Sequence, residues 1–306
     1  MATILSKEQL NLLENILTQA LDSYEVIPSI SEEEQQAKAN AELLQAYLSA
    51  KKIEGCSEKT IGYYQSTIDT LFVAVCKPVC DVTTNDIRNY LSGYQEQRKV
   101  SRVTIDNMRR IFSSFFAWLE DEDFIVKSPV RRIHRVRTES LVKEVLTDEN
   151  MEVLRDSCQE IRDIAMIDLL ASTGMRVGEL VNLNREDIDF HERQCVVFGK
   201  GNKEREVYFN ARTKIHLQNY LSSRTDDNPA LFVSLSNPHS RLSISGVEVR
   251  LRTLGRKVNI AKVHPHKFRR TLATMAIDKG MPIEQVQRLL GHVKIDTTLH
   301  LSLIHI

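Results

Sequence analysis

Apolar residues recur every three or four positions along most of residues 38 to 125. In residues 105–119, six apolar side chains fall on one side of a helix, while Arg109 and Arg110 fall on the other. Helices of this kind gain most of their stability by packing their apolar sides against one another. We therefore predict a small bundle of four helices over residues 38–125, with its aromatic residues in the core.

The second half of the chain is also mainly helical, but it holds the one clear β-strand pattern. Two β-rich runs, residues 195–198 and 206–209, flank a glycine-rich turn, which predicts a hairpin. Helices are expected at about residues 148–158 and 161–173, and from residue 211 onward, with breaks at Gly246, Gly255, Gly280 and Gly291. The predicted fold class is mainly α with a small β-sheet, in which a helical bundle precedes a mixed α/β domain.

The length of 306 residues suggests two domains, since a domain commonly contains about 100–200 residues. A cap pattern at Leu146-Thr147-Asp148-Glu149 indicates where the second domain begins its first helix. The predicted segments are an N-terminal add-on helix with an acidic stretch (1–37), the bundle (38–125), a basic linker (126–143) and the second domain (144–306).

The charges are balanced overall, with 41 basic and 41 acidic residues, but they are unevenly distributed. Residues 1–36 carry seven acidic residues and one basic residue, which fits a protein contact or a solvated helix better than DNA binding. Residues 127–143 carry six basic residues and one acidic residue. They could form a solvated linker, but their position between two helical regions favours a strap along DNA phosphates. The predicted DNA-binding residues are Arg131, Arg132, Arg135, Arg137 and Lys143.

The composition excludes several classes of protein. A 42% share of hydrophobic residues is typical of a globular chain, and no apolar run approaches the ~18 residues of a membrane span. The N-terminus resembles an amphipathic helix rather than a secretion signal. Five scattered cysteines suit reduced thiols in the cytoplasm. Cys76 and Cys80 lack the histidine or second cysteine pair of a zinc site, so no metal is expected.

Four polar segments of the second domain carry candidate site residues: Arg176, Lys203, His266 with Arg269, and His292. Taken singly, each side chain is more often a surface charge or a helix cap. Because His266 and Arg269 are three residues apart, they project from one face of a helix. Together these donors, without a carboxylate pair or a metal set, suit an anionic phosphoryl centre. The glycine-rich turn lacks the Walker pattern, so we expect no nucleotide.

These residues stand in the motifs R-x-x-E-L, G-K-G-N-K-x-R, H-x-x-R and L-G-H, in that order. The set resembles the tyrosine recombinase (phage integrase) family, closest in layout to Xer-type and mobile-element integrases. The resemblance covers about residues 38 to 300. It implies that the helical bundle is a SAM-like core-binding domain and that residue 144 onward is a tyrosine-recombinase catalytic domain. In the family, two such domains close on duplex DNA like a clamp.

The resemblance implies site-specific DNA strand exchange through a 3′-phosphotyrosine. Arg176 and Arg269 would hold the non-bridging oxygens of the scissile phosphate. His266 and His292 would hydrogen-bond that phosphate and help to move protons, and Lys203 would protonate the leaving 5′-hydroxyl. No cofactor, metal or ATP is implied.

Further expectations come from the same resemblance. Glu179 would be a supporting residue that orients the region of Arg176. The partners would be double-stranded DNA and further copies of the chain, which form a tetrameric synapse in the family. No membrane partner is expected.

The likeness ends near the nucleophile. The family places its tyrosine about nine residues after the L-G-H histidine, at position 301, which is Leu in this chain. The last tyrosine in the sequence is Tyr220, and Arg270 stands where the family commonly has histidine. We therefore expect a C-terminally truncated or frame-shifted recombinase that binds DNA without cleaving it.

Two other functions are compatible with these residues. One is a non-catalytic accessory protein that occupies recombination sites. The other is a type IB topoisomerase, which the core-binding domain and the Xer-like spacing make less favoured.

Overall fold

The structure is a computed structural model that describes residues 7–21, 31–137, 144–199 and 204–292, together with residues 295 and 298. Lys143, Lys203 and Leu301, for which the sequence predicts roles, lie outside the described residues. The chain divides into two compact units, Met1–Ser140 and Leu141–Ile306, and each unit has its own apolar core.

The first unit contains five helices in its described part. They are α1 (Lys7–Leu21), α2 (Glu32–Ile53), α3 (Glu58–Val75), α4 (Thr84–Arg98) and α5 (Arg102–Asp121). Helices α2 to α5 form the predicted bundle of four. Helix α2 begins earlier than the predicted boundary at residue 38, because Ser31 and Glu34 form a capping box at its start.

Polar caps set the beginnings of the other bundle helices. Ser57, Thr83 and Ser101 each accept a hydrogen bond from a backbone amide of the first turn that follows. At Thr83 the cap is reciprocal, because Asp86 also accepts from the Thr83 backbone amide at 2.9 Å. Thr83 and Asp86 thus form a capping box at the start of α4.

The core of the bundle is aromatic. Helix α5 buries all six of its predicted apolar residues, and Phe112, Phe115 and Phe116 are completely inaccessible to solvent. The Tyr47 ring lies edge-on to Phe115, with 5.1 Å between the ring centres, and its buried hydroxyl bonds to Ser114 at 2.9 Å. Rings in this geometry stabilise the core beyond the area they bury. The aromatic residues are core residues, as predicted.

The basic segment is part of the first unit as far as residue 137. A 3₁₀ turn at Pro129–Arg132 buries Val130, and Ile133 and Val136 pack against the bundle core. The Val136 amide donates to Asp106 of α5 at 3.1 Å. Over these residues the segment is thus a strap held on the bundle rather than a free linker. The strap residues Arg131, Arg132, Arg135 and Arg137 are all exposed.

The second unit contains seven described helices and three short strands. The helices are α6 (Asp148–Asp156), α7 (Ile161–Thr173), α8 (Val177–Asn182), α9 (Ala211–Ser223), α10 (Ile244–Lys257), α11 (Pro265–Asp278) and α12 (Ile283–Leu290). The strands β1 (Ile188–Asp189), β2 (Gln194–Phe198) and β3 (Glu204–Tyr208) form one antiparallel sheet in chain order. Helix α7 lies at the centre and packs against α9 and α11.

The predicted hairpin is confirmed as β2 and β3, whereas β1, with only two residues, was not predicted. Two of the four glycine breaks are wrong, because Gly246 and Gly255 lie inside α10. Gly255 instead allows α10 to pack closely against Val263, because a Cβ at this position would lie 2.5 Å from Cγ2 of Val263. Gly280 and Gly291 follow helix ends with positive φ, as expected of breaks. Among the described residues, no helix combines the length and apolar character needed to span a membrane.

We predict that Phe112→Ala lowers the free energy of unfolding of the first unit by about 3–5 kcal/mol, because it leaves a cavity in a fully packed core. Urea unfolding followed by tryptophan fluorescence measures this directly, since the sole tryptophan, Trp118, lies in α5 of the same unit. The control Val103→Ala changes an exposed residue of α5 and should shift stability by less than about 0.5 kcal/mol. Equal effects of the two variants would contradict this account of the core.

Candidate active site

The junction between α7 and α8 positions Arg176. Helix α7 ends at Gly174 with φ +59°, where a Cβ would lie only 2.7 Å from the Leu272 side chain. Arg176 then occupies the N-cap of α8, and its backbone amide donates to Glu179 at 2.7 Å. Its Nη1 donates to the other oxygen of the same carboxylate at 2.9 Å. The R-x-x-E-L motif is thus a helix start that fixes one arginine against one glutamate.

A second arginine reaches the same carboxylate from the hairpin. Arg205 lies on β3 opposite Val197 and shares the inward face of the strand with Val207. Its Nη1 and Nη2 donate to the two oxygens of Glu179 at 2.7 and 2.8 Å. Arg205 was not among the predicted site residues. The strand alternation that places it inward was the signal that could have identified it.

The Glu179 side chain is 3% exposed, yet it stays ionised. Burial alone would raise the pKa of this carboxyl group. The hydrogen bonds from Arg205 and from the backbone and side chain of Arg176, together with their charges, outweigh burial and lower the pKa below its ordinary value. At neutral pH, Glu179 is therefore an anion between two cations.

Helix α11 supplies a third arginine. Arg269 is buried, and its Nη1 donates to the carbonyl of Gly174 at 2.7 Å while its Nη2 donates to the carbonyl of Leu290. Burial, followed by the charges of Arg176 and Arg205, lowers the pKa of Arg269 to about 9. The guanidinium thus remains charged at neutral pH, and it joins the ends of α7 and α12.

The end of α12 completes the site. Gly291 has φ +64°, and its carbonyl accepts from Nη2 of Arg176 at 3.3 Å. A Cβ at Gly291 would lie 2.8 Å from Cδ of Arg205, so a side chain would displace that arginine. His292 follows, and its Nδ1 lies 2.9 Å from the buried hydroxyl of Thr298. Thr298 is a contact that sequence analysis did not identify.

His292 is a neutral imidazole at physiological pH. Burial, then the positive charges of Arg269, Arg176 and Arg205, lower its pKa to about 4. A neutral imidazole carries one donor and one acceptor nitrogen, so it can give or take a proton.

His266 lies at the exposed side of the site, in the first turn of α11. Partial burial lowers its pKa, and the charges of Arg269, Arg176 and Arg270 lower it further. Arg270 makes no hydrogen bond through its buried Nε to any described residue.

The structure brings Arg176, Glu179, Arg269 and His292 together, while the position of Lys203 is outside the described residues. The three arginine charges and one carboxylate leave a net charge of +2, beside a histidine that is neutral at pH 7. In the described part of the chain, no three His, Cys, Asp or Glu side chains are grouped as metal ligands. A net positive charge carried on guanidinium groups suits an anionic centre such as a phosphodiester.

Comparison with known proteins identifies the family. Residues 144–301 match the phage integrase family, and residues 43–125 match the phage integrase N-terminal SAM-like domain. The chain therefore belongs to the phage integrase family of tyrosine recombinases, which cleave and rejoin DNA. The resemblance stated from the motifs is confirmed.

Individual relatives agree with this assignment. Tyrosine recombinase XerC of Staphylococcus aureus (strain bovine RF122 / ET3-1) is 31% identical over 269 residues, which cover 83% of this chain and 89% of the relative. The crystal structure of XerA recombinase is 29% identical, with a TM-score of 0.50 over 86% of this chain and 93% of that one.

Two more distant structures support the fold alone. The Tn1549 transposon integrase in complex with a circular intermediate DNA is 20% identical, with a TM-score of 0.71 over 85% of this chain and 94% of that one. A lambda integrase dimer bound to a COC′ core site is 18% identical, with a TM-score of 0.69 over 96% and 86%. The predicted fold class, a SAM-like bundle followed by a mixed α/β recombinase domain, is confirmed.

We predict that acid destabilises the second unit partly through His292. Its pKa is about 4 in the folded chain against an ordinary 6.5, so between these pH values only the unfolded chain takes up the proton. The resulting stability is complete above pH 6.5 and is lost as the pH falls through 4. His292→Gln should therefore lose less stability than the natural chain between pH 7 and pH 5.

Urea unfolding followed by circular dichroism at the two pH values measures the difference, and an NMR titration of the His292 ring measures the pKa itself. A His292 resonance that titrates near pH 6.5 would contradict the prediction.

Proposed function

We propose that this chain is a site-specific DNA-binding member of the recombinase family in which Arg176 and Arg269 hold one phosphodiester of the duplex. The observation that carries the proposal is a cluster of three arginines with a single carboxylate. Arg176 and Arg205 donate to Glu179, and Arg176 and Arg269 donate to three helix-end carbonyls, so the cluster has a net charge of +2. A phosphodiester carries one negative charge, and the pentacoordinate transition state of its transfer carries two. The charge of the site therefore suits the transition state best.

The remaining roles follow the chemistry of the side chains. His266 and His292, which have lowered pKa values, would donate hydrogen bonds to the phosphate without adding charge. Lys203 would give a proton to the 5′-oxygen as its bond to phosphorus breaks. Glu179 would orient Arg176. In the complete reaction of the family, a tyrosine oxygen forms the new bond to phosphorus and loses its own proton.

We further propose that this chain binds DNA without forming that covalent bond. Leu301 stands at the position that the family resemblance gives to the tyrosine. The two tyrosines of the second unit are unsuitable substitutes. Tyr220 is buried, stacks on Phe232, and its hydroxyl accepts from the Val233 amide at 3.3 Å. Tyr208 lies on the outward face of β3, where its hydroxyl donates to Glu206 at 2.7 Å.

The test first selects, from a pool of random sequences, a duplex that the full chain prefers. That duplex is then end-labelled and incubated with the full chain. We expect salt-dependent binding and no DNA that migrates with protein on a denaturing gel. S. aureus XerC on its own DNA provides the positive control. A covalent adduct would contradict the missing nucleophile, and an absence of sequence-preferring duplex binding would contradict the proposed function.

The strap is proposed as a second contact with DNA. Its basic side chains are exposed while Ile133 and Val136 hold it on the bundle. Such a row of guanidinium groups on a fixed backbone matches the repeating charge of a phosphate chain.

We predict that Arg135→Gln with Arg137→Gln weakens duplex binding and reduces the slope of log K against log salt by about 2, since each lost phosphate contact removes about 0.9. The matched control, Lys52→Gln with Lys59→Gln, removes the same charge from the exposed α2–α3 end of the first unit. Fluorescence anisotropy at several salt concentrations measures both slopes. If both variants change the salt slope equally, only total charge matters, and the proposed contact between the strap and DNA would be contradicted.

We also propose that copies of the chain assemble on DNA in the cytoplasm, as pairs and as the tetrameric synapse of the family. The lambda integrase dimer on its core site supports the assembly of copies on DNA. The five free cysteines support a reducing compartment such as the cytoplasm.

A further inference from the structure

The carboxylate of Glu179 accepts four hydrogen bonds, two from each of two arginines. Arg176 donates from its backbone amide at 2.7 Å and from Nη1 at 2.9 Å, and Arg205 donates from Nη1 and Nη2 at 2.7 and 2.8 Å. A carboxylate offers about four lone-pair positions, so this one is saturated. The two arginines share it unequally, because only Arg205 makes the two-pronged side-chain contact.

We propose that Arg205 is a positioning residue for the phosphate site: by holding Glu179 in a bidentate pair, it prevents this carboxylate from closing on Arg176 and so keeps the Arg176 guanidinium available to a phosphate. The inference rests on the proposed function, in which Arg176 binds phosphate.

Competition between the arginines is the physical basis. Glu179 is almost fully buried, and a buried carboxylate without a bidentate partner draws in the nearest cation. That cation would be Arg176, which already donates to this carboxylate and whose side chain is less packed, at 34% exposed against 13% for Arg205. A guanidinium that forms two bonds to Glu179 has fewer donors and less charge to offer a phosphate.

Arg205 is held where it is by packing rather than by further acceptors. Its Cδ lies against Gly291, where a Cβ would approach to 2.8 Å. Its Nε is buried and has no hydrogen-bond partner among the described residues. Among the described residues, the guanidinium thus has no acceptor other than the two oxygens of Glu179. This is consistent with a role in holding that carboxylate.

The pair also joins three parts of the second unit. Arg205 stands two residues after Lys203 in the sequence, on the strand that follows the hairpin turn. Its partner Glu179 lies in α8, and its neighbour Gly291 follows α12. One side chain therefore sets the distance between the hairpin, the Arg176 turn and the segment that leads to His292.

The test uses the full chain, with inorganic phosphate as the probe and the ring resonances of His266 and His292 as the readout. The variants are Arg205→Gln, Arg205→Lys, and Glu179→Gln combined with Arg205→Gln. We expect Arg205→Gln to weaken phosphate binding about tenfold, because Glu179 closes on Arg176. Arg205→Lys, which keeps the charge but loses the fork, should weaken it several-fold.

The double variant is the decisive comparison. Glutamine at position 179 keeps one acceptor oxygen that can orient Arg176 but removes the carboxylate charge that competes for it, so phosphate affinity should return to within about twofold of the natural chain. The matched control is Arg185→Gln, since Arg185 also has a buried Nε without a partner but pairs with Asp226 instead of Glu179. This control should leave phosphate binding unchanged.

Two results would overturn the positioning role. If Arg205→Lys binds phosphate like the natural chain, charge alone accounts for Arg205. If the double variant is as weak as Arg205→Gln, the arginine supports the fold rather than Arg176, and thermal unfolding of the variants will show the matching loss. Either result leaves the proposed function intact. Failure of the natural chain itself to bind phosphate at these histidines would count against the proposed phosphate site.

Discussion

The buried carboxylate of Glu179 is the interaction on which the site depends. Three arginines held close together repel one another, and burial of Arg269 adds a desolvation cost. Glu179 neutralises one of these charges and fixes the geometry of two. The helix ends supply the other acceptors. Where α7 and α12 stop, their last carbonyls have no partner within the helix, and those of Gly174, Leu290 and Gly291 accept from the guanidinium groups. The fold thus stabilises a cationic site with one buried carboxylate and with the partial negative charges of backbone carbonyls.

This use of helix ends explains why glycines stand beside the charged residues. Gly174 and Gly291 both adopt positive φ, which stops the helix and directs its last carbonyls toward the site. Each also admits a close neighbour, the side chain of Leu272 at one and that of Arg205 at the other. A side chain at either glycine would have to displace the packing that places an arginine. The motifs T-G-x-R and L-G-H are therefore structural units as much as sets of reactive groups.

Local sequence patterns encode much of the fold. The α5 stripe, the cap at Thr147 and the β2–β3 hairpin follow from periodicity, capping and turn chemistry, and the structure contains all three. The predicted start of helix α2, at residue 38, is too late because the Ser31 capping box precedes the apolar pattern of the helix. The motifs identified Arg176, Arg269, Glu179 and His292, but neither Arg205 nor its contact with Glu179 was predicted. These residues are 26 positions apart, and only the fold brings β3 against α8. A single-sequence pattern cannot encode such a pairing, and the inward position of Arg205 becomes apparent only when the predicted strand is extended from residue 206 back to residue 204.

The supports of the arginines bear on what a chain with Leu301 can do. Arg176, Arg205 and Arg269 are held by Glu179 and by carbonyls of residues 174, 290 and 291, all of which precede position 301. None of these bonds involves the side chain at the nucleophile position. In the proposed function, binding of a phosphate and attack on it would therefore depend on different parts of the chain. A site whose net charge of +2 is fixed in this way should keep its affinity for a phosphodiester with an aliphatic side chain in place of the phenol, because the groups that attract the phosphate are held by the fold.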